Sequence, residues 1–223
     1  MIEKDFDSPY ISKYGTVVGI DEVGRGALAG PVVAAAVLLK KPIEGVDDSK
    51  KINREKRELL FKKLILSAQI AFGIATPTEV DIYNVIGATK LAMERAYRTL
   101  GMESFVLVDG LEVGLNFFHK CIVKGDGKSP SIAAASIAAK VFRDDIMKKV
   151  SNYFADYGFE HNMGYGTPQH IRALKENGPT VFHRLTYAPV RNALNERTLK
   201  DWIASKKISP KRIKAETLHL FFN

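Results

Sequence analysis

Two apolar runs near the start of the chain, Val17-Val-Gly-Ile20 and Val32-Val-Ala-Ala-Ala-Val-Leu-Leu39, flank a stretch punctuated by Gly24, Gly26, Gly30 and Pro31. β-branched runs bounded by turn residues predict two buried strands joined tightly as a hairpin. Over 53–67 the apolar positions Leu59, Leu60, Leu64 and Ile65 recur at helical spacing behind Asn53, a capping residue, and predict a surface helix. Residues 68–75 read as a third strand. Residues 78–100 read as a helix with a break at Gly87 and a stop at Gly101. Short buried strands follow at 105–108 and 121–123. Residues 130–153 form a long helix whose first half, Ser131-Ile-Ala-Ala-Ala-Ser-Ile-Ala-Ala-Lys140, is small enough to lie against a sheet. Beyond Gly158 the pattern dissolves into a loop and short helices starting near Pro168, Pro189, Thr198 and Pro210, a helical appendage. This order predicts an α/β protein, a mixed sheet covered by helices.

The chain has 223 residues, 46% of them hydrophobic and 26% charged, which suits one full core with an appendage and excludes a disordered chain or a disulfide scaffold. The balance of 33 Lys and Arg against 25 Asp and Glu gives a net charge of +8 and points to a polyanionic partner such as nucleic acid. Basic residues concentrate in two places: 50–63, and 191–223 with Arg191, Arg197, Lys200, Lys206, Lys207, Lys211, Arg212 and Lys214. A lone cysteine, Cys121, and no Cys/His cluster at zinc spacing suggest a reducing compartment. With no signal-like start and no long apolar run, the expectation is a cytoplasmic protein, and a monomer is expected.

Candidate chemistry sits where strands end. Gly19-Ile-Asp-Glu-Val-Gly-Arg-Gly26 places Asp21 and Glu22 after an apolar strand, Val106-Leu-Val-Asp-Gly110 places Asp109 after another, and Ile122-Val-Lys-Gly-Asp126 adds Asp126 after a third. Taken singly, Asp109 and Asp126 read first as turn residues beside glycines. In a parallel or mixed sheet, however, all four converge on one edge and repel unless a divalent cation neutralises them. An oxygen-only donor set selects Mg²⁺ or Mn²⁺ over zinc. Two such ions can activate a water and stabilise the leaving oxygen in phosphodiester cleavage. The glycines of residues 24–30 imitate a dinucleotide-binding turn, but that motif needs a helix where Pro31 and a strand follow. They suit instead a close backbone approach to a sugar or phosphate.

Taken together, Gly19-Ile-Asp-Glu-Val-Gly-Arg-Gly26, Asp48-Ser-Lys50, residues 84–93, Val108-Asp-Gly110, Val123-Lys-Gly-Asp126, residues 134–144 and Gly164-Tyr-Gly-Thr167 resemble, in order, the motifs of bacterial ribonuclease HII, the type 2 ribonuclease H family. The resemblance implies a ribonuclease H-like five-stranded mixed sheet flanked by helices, residues 1–157, with a loop and helical C-terminal substrate-binding region, 158–223. It implies an endoribonuclease that cleaves RNA in RNA/DNA hybrids and cuts 5′ of single ribonucleotides in duplex DNA, with Mg²⁺ or Mn²⁺ held by Asp21, Glu22, Asp109 and Asp126. Gly24, Arg25 and Gly26 would read the 2′-OH and the adjacent phosphate. Tyr165 would stack on the sugar at the ribose-to-deoxyribose junction, and Lys50 and Lys140 would contact phosphate. A catalytically silent hybrid-binding module is the alternative, and the intact carboxylate set argues against it. Many family members carry Lys where this chain has Met163, so a basic contact is missing there. His161, His170 and His183 read as structural.

The C-terminal Thr217-Leu-His-Leu-Phe221 resembles the peptide by which bacterial proteins dock on the DNA sliding clamp, with Leu218, Leu220 and Phe221 matching and Thr217 standing in place of glutamine. The competing reading makes Leu218, Phe221 and Phe222 the apolar face of a last helix.

Overall fold

The computed structural model describes residues 5–45 and 52–213. Lys50 and the clamp-like peptide at 217–221 therefore lie outside the described residues. The order is α1 (Ser8–Tyr14), β1 (Val17–Val23), β2 (Val32–Leu39), α2 (Arg54–Ser67), β3 (Ala68–Ala75), α3 (Pro77–Leu100), β4 (Phe105–Asp109), β5 (His119–Ile122), α4 (Pro130–Ser151), α5 (Phe159–Asn162), α6 (Pro168–Asn177), α7 (Ala188–Ala193) and α8 (Glu196–Ala204). The chain divides into two compact units. The described residues of Met1–Val23, Val32–Ile74 and Thr89–Arg143 make the first, and those of Gly24–Pro31, Ala75–Ala88 and Asp144–Asn223 the second.

The first unit holds a five-stranded mixed sheet in the order β3-β2-β1-β4-β5. β1 and β2 are antiparallel, as the hairpin reading expects, while β1–β4 and β4–β5 are parallel. The hairpin is not tight, because eight residues (24–31) connect its strands. β1 also runs to Val23, beyond the expected end: Asp21 and Glu22 stay in the ladder opposite Ala35 and Ala34. Small residues on the β2 side leave room for those carboxylates. α4 packs its alanines with Val37, Leu60 and Leu64 in one buried cluster, as its composition predicts. At Gly19 β1 approaches α4 so closely that a β-carbon would strike the backbone of Ser131. Asp7 ties the N-terminal segment to the start of α4, its carboxylate accepting from Ser129 Oγ (2.6 Å) and the Ser131 N–H (2.9 Å). The second of these satisfies a backbone donor that a helix start leaves unpaired.

Asn53 caps α2 as expected, its side chain accepting from the Lys56 N–H at 2.9 Å. The break in α3 falls at Asn84 rather than Gly87. Asn84 adopts φ 59° and ψ 176°, a strained conformation for a residue other than glycine, and its Oδ1 accepts from the N–H groups of Ile86 and Gly87 (2.8 and 3.1 Å). The side chain thus restarts the helix that its backbone interrupts.

The second unit is built on a cluster including Leu28, Phe159, Leu174, Leu185, Val190 and Leu199. Asp81 is buried there and fully engaged: it accepts from the N–H groups of Leu185 and Thr186, from Thr186 Oγ1, and from Arg212 Nε at 2.8 Å. Arg212, counted by sequence with the basic arm, is therefore a core residue, 3% exposed.

Candidate active site

The parallel register places Ile20 opposite Val108. The next residue on each strand is a carboxylate, Asp21 on β1 and Asp109 on β4, so the two acids stand side by side where the pairing of these strands ends. Asp109 pairs in register with Ile122 of β5. The chain then turns through Lys124, in the left-handed region, into a short 3₁₀ turn at Gly125–Gly127 that carries Asp126. Asp109 Oδ1 accepts from the Gly125 N–H at 2.6 Å and the Asp126 N–H at 3.4 Å, which fastens the Asp126 turn to the end of β4. Asp126 and Asp21 are buried, Glu22 and Asp109 partly so. The convergence expected of Asp21, Glu22 and Asp109 is present, and Asp126 joins through the Asp109 carboxylate.

Electrostatically, Asp21 bears the cost of the cluster. Burial pushes the Asp21 carboxyl well above the ordinary carboxylate range, and the charges of Glu22 and Asp109 push it further. A hydrogen bond from the Ser136 hydroxyl and one from the Glu22 N–H (2.7 Å) work the other way. A buried acid raised by its acidic neighbours is the state that a hard divalent cation relieves, and the donor set is all oxygen. The residues present fit such an ion. Ser136, on the buried face of α4, is a partner of the site that sequence reading missed, hidden in a run of small residues that looks like packing alone.

The glycine turn belongs to the second unit. Gly24 has φ 97°, where glycine is needed for backbone reasons. Gly26 is different: its φ is ordinary and a β-carbon there would meet nothing within 4 Å. Folding does not demand glycine at this exposed position, and the bare backbone there is open to close approach. Arg184, fully buried, holds the turn from beneath. Its guanidinium donates to the carbonyls of Gly24 (2.7 Å), Arg25 (2.7 Å) and Gly30 (2.9 and 3.0 Å), and Tyr187 Oη also donates to the Arg25 carbonyl at 2.6 Å. With its carbonyls tied down by Arg184, the turn is set as one rigid piece, and the Arg25 side chain is exposed.

Tyr165 is fastened to the same turn. The carbonyl of its neighbour Gly164 accepts from the N–H groups of Leu28 and Ala29 (2.8 and 3.2 Å). Its own carbonyl accepts from the Thr167 N–H at 2.8 Å and from His170 Nδ1 at 2.9 Å. The histidines form a directed chain. The Thr180 N–H donates to His183 Nδ1, so His183 Nε2 carries the proton and donates at 3.0 Å to His170 Nε2, and His170 Nδ1 donates to Tyr165. Both rings must be neutral for this. Burial and the proximity of His170 pull His183 down to about 3, and burial lowers His170 as well. The structural reading of His170 and His183 thus agrees with their geometry, while His161 is exposed beside Glu160. Met163, where a basic residue is missing, is buried in the core of this unit. Lys140 lies one helical turn beyond Ser136 on α4, on the face that serves Asp21, and is half-buried. Arg184 gave no signal in the sequence because its chemistry is directed at backbone carbonyls distant in the chain.

Comparison with known proteins agrees with this arrangement. A family model described as Ribonuclease HII matches residues 18–190. The chain is 50% identical over 210 residues to ribonuclease HII of Pseudothermotoga lettingae, covering 94% of this chain and 93% of that one. Among solved structures, it is similar to ribonuclease H2 from Pyrococcus horikoshii OT3 with a TM-score of 0.66 at 28% identity, over 83% of this chain and 99% of the other. It is also similar to a chain in the complex of PCNA with RNase HII from Archaeoglobus fulgidus, TM-score 0.57 at 25% identity, over 90% and 94% of the two chains.

Proposed function

Because the chain belongs to the ribonuclease HII family, and is thereby a metal-dependent endoribonuclease acting on RNA/DNA hybrids, we propose that it also cuts duplex DNA on the 5′ side of a single embedded ribonucleotide, leaving a 3′-OH and a 5′-phosphate. The register that sets Asp21 beside Asp109 is the observation that carries this reading. Asp21, Glu22, Asp109 and Asp126 would hold two divalent ions, Mg²⁺ or Mn²⁺, which would supply water activation and charge stabilisation of the leaving oxygen. Gly24, Arg25 and Gly26 meet the 2′-OH and the adjacent phosphate, with Gly26 admitting the sugar to the backbone. Tyr165 stacks against the sugar at the junction. Lys140 and Lys50 contribute phosphate contacts that position the duplex without reading it.

The division expected from sequence, catalysis in 1–157 and substrate binding in 158–223, belongs to this proposal, with the turn at 24–26 added to the binding part. So does clamp docking through Leu218, Leu220 and Phe221, which the PCNA complex of the Archaeoglobus relative supports. A labelled DNA duplex with one ribonucleotide, incubated with Mg²⁺, Mn²⁺ or chelator, tests the function. The expected result is one cut immediately 5′ of the ribonucleotide, with 3′-OH ends and no product in chelator. Ends carrying a 2′,3′-cyclic phosphate would overturn it, because the 2′-OH would then have been the nucleophile.

A further inference from the structure

On β5, His119 and Cys121 are two residues apart and so project from the same face of the strand. Glu112, in the connection between β4 and β5, folds back over them. One carboxylate oxygen, Oε2, lies 2.8 Å from His119 Nε2 and 3.7 Å from Cys121 Sγ, and the three ligand atoms all lie within 4.8 Å of one another. We propose that Glu112, His119 and Cys121 form a second metal site, separate in chemistry from the carboxylate cluster, that takes a borderline transition-metal ion of the Zn²⁺ or Co²⁺ class.

The tautomer of His119 gives the reason. His119 Nδ1 lies 2.8 Å from the carbonyl of Phe117, and a carbonyl only accepts, so the ring proton is on Nδ1. In the neutral ring Nε2 then presents its lone pair to a carboxylate oxygen that also offers lone pairs, at contact distance. Two acceptors share that contact only through a cation: a second proton on the ring, or a metal ion. The surroundings favour the ion. A histidine ligand usually has its far nitrogen fixed by a carbonyl, and a carboxylate ligand its far oxygen fixed by a donor. Here Phe117 does the first, and the Gly114 N–H does the second by donating to Glu112 Oε1 at 2.6 Å.

Sulfur, imidazole and one carboxylate suit Zn²⁺ or Co²⁺, and Mg²⁺ finds only one hard ligand among them. Three protein ligands leave a fourth tetrahedral position to water. Binding releases the thiol proton, leaving the thiolate as the ligand. In the bare site burial and Glu112 push the Cys121 thiol up to about 11, so it stays an unreactive thiol until a cation replaces that proton. No zinc signature shows in the sequence, because the ligands are one strand-spaced pair and one loop acid. A bound ion would bridge the connection after Asp109 to β5, bracing the end of the strand that carries Asp109.

Cys121 is the sole cysteine, so a thiolate-to-cobalt charge-transfer band has one possible source. The experiment titrates Co²⁺ into the full-length protein with excess Mg²⁺ present to occupy the carboxylates. The expected result is a near-ultraviolet charge-transfer band saturating at one equivalent, bleached by Zn²⁺ and absent in Cys121→Ser. Glu112→Gln, at an exposed loop position, should weaken Co²⁺ binding at least ~10-fold, the smallest loss that even outer partners of a metal cause. Circular dichroism of both variants confirms that they are folded. Absence of the band in the wild-type protein, or Co²⁺ affinity unchanged in both variants, would reduce the cluster to an ion pair and overturn the proposal.

Discussion

Asp21 shows how a residue proposed for the chemistry can be costly to the fold. It is 6% exposed and its carboxyl is raised by burial and by Glu22 and Asp109. A raised acid means that the native state binds a proton more tightly than the unfolded chain, so its contribution to stability declines as pH rises above the ordinary carboxylate range. Asp21→Asn removes that burden. The variant is expected to melt at a higher temperature than the wild type at pH 8 without metal, while cleaving about a thousandfold more slowly or worse, a loss of several kcal/mol in metal-assisted stabilisation. Thermal melts with and without Mg²⁺ check this, and a metal-free variant that melts lower would contradict it. The four carboxylates stand out as candidates in the sequence because acids close to the ends of apolar runs, within motifs that resemble ribonuclease HII, leave a clear mark. Ser136 does not, since a serine among alanines has no pattern that distinguishes a hydrogen bond from a packing contact.

Elements were read well where periodicity decides and poorly where a side chain intervenes. β3 is legible at 68–75, where an apolar-rich stretch ends at Thr76 and Pro77, whereas the restart of α3 depends on one Asn84 side chain capturing two N–H groups. The turn at 24–26 shows the same limit: its glycines are visible in sequence, and the Arg184 that immobilises it is 160 residues away in the chain. Arg184→Lys offers one ammonium where a planar fork serves three carbonyls. Each carbonyl left without a donor costs about 1–3 kcal/mol. A lower urea midpoint together with a raised KM for the ribonucleotide-bearing duplex is expected; unchanged KM would remove Arg184 from positioning the turn. The histidine chain that ends on Tyr165 gives a pH signature. His183 titrates at about 3 in the native protein against 6.5 ordinarily, so between those values the unfolded chain holds the extra proton. Stability is thus expected to fall as pH drops through that window, and His183→Gln should flatten the slope in denaturant titrations between pH 7 and pH 4. An equally steep wild-type and variant slope would assign the acid sensitivity elsewhere.

At the scale of the molecule, the net charge of +8 supplies attraction to any polyanion and no choice among them. Choice has to come from the parts that touch sugar and base, and chemistry from the parts that hold metal. The residues proposed for those two tasks fall in different compact units: Asp21, Glu22, Asp109 and Asp126 in the first, and Gly24, Arg25, Gly26 and Tyr165 in the second. The sequence displayed both sets but not that the turn belongs with residues beyond 144, because compactness depends on contacts such as those of Leu28 with Gly164 that no local pattern encodes. The account's central claim is that recognition and catalysis are separable along this division. The direct measurement is the ratio of affinities for a duplex with one ribonucleotide and for the same duplex in all DNA, taken in Ca²⁺ for the wild type, Gly26→Ala and Asp109→Asn. The account predicts that Gly26→Ala, folded as stably as the wild type, brings the ratio close to one, and that Asp109→Asn keeps the wild-type ratio while losing cleavage in Mg²⁺. A wild-type ratio in Gly26→Ala, or a collapsed ratio in Asp109→Asn, would contradict it.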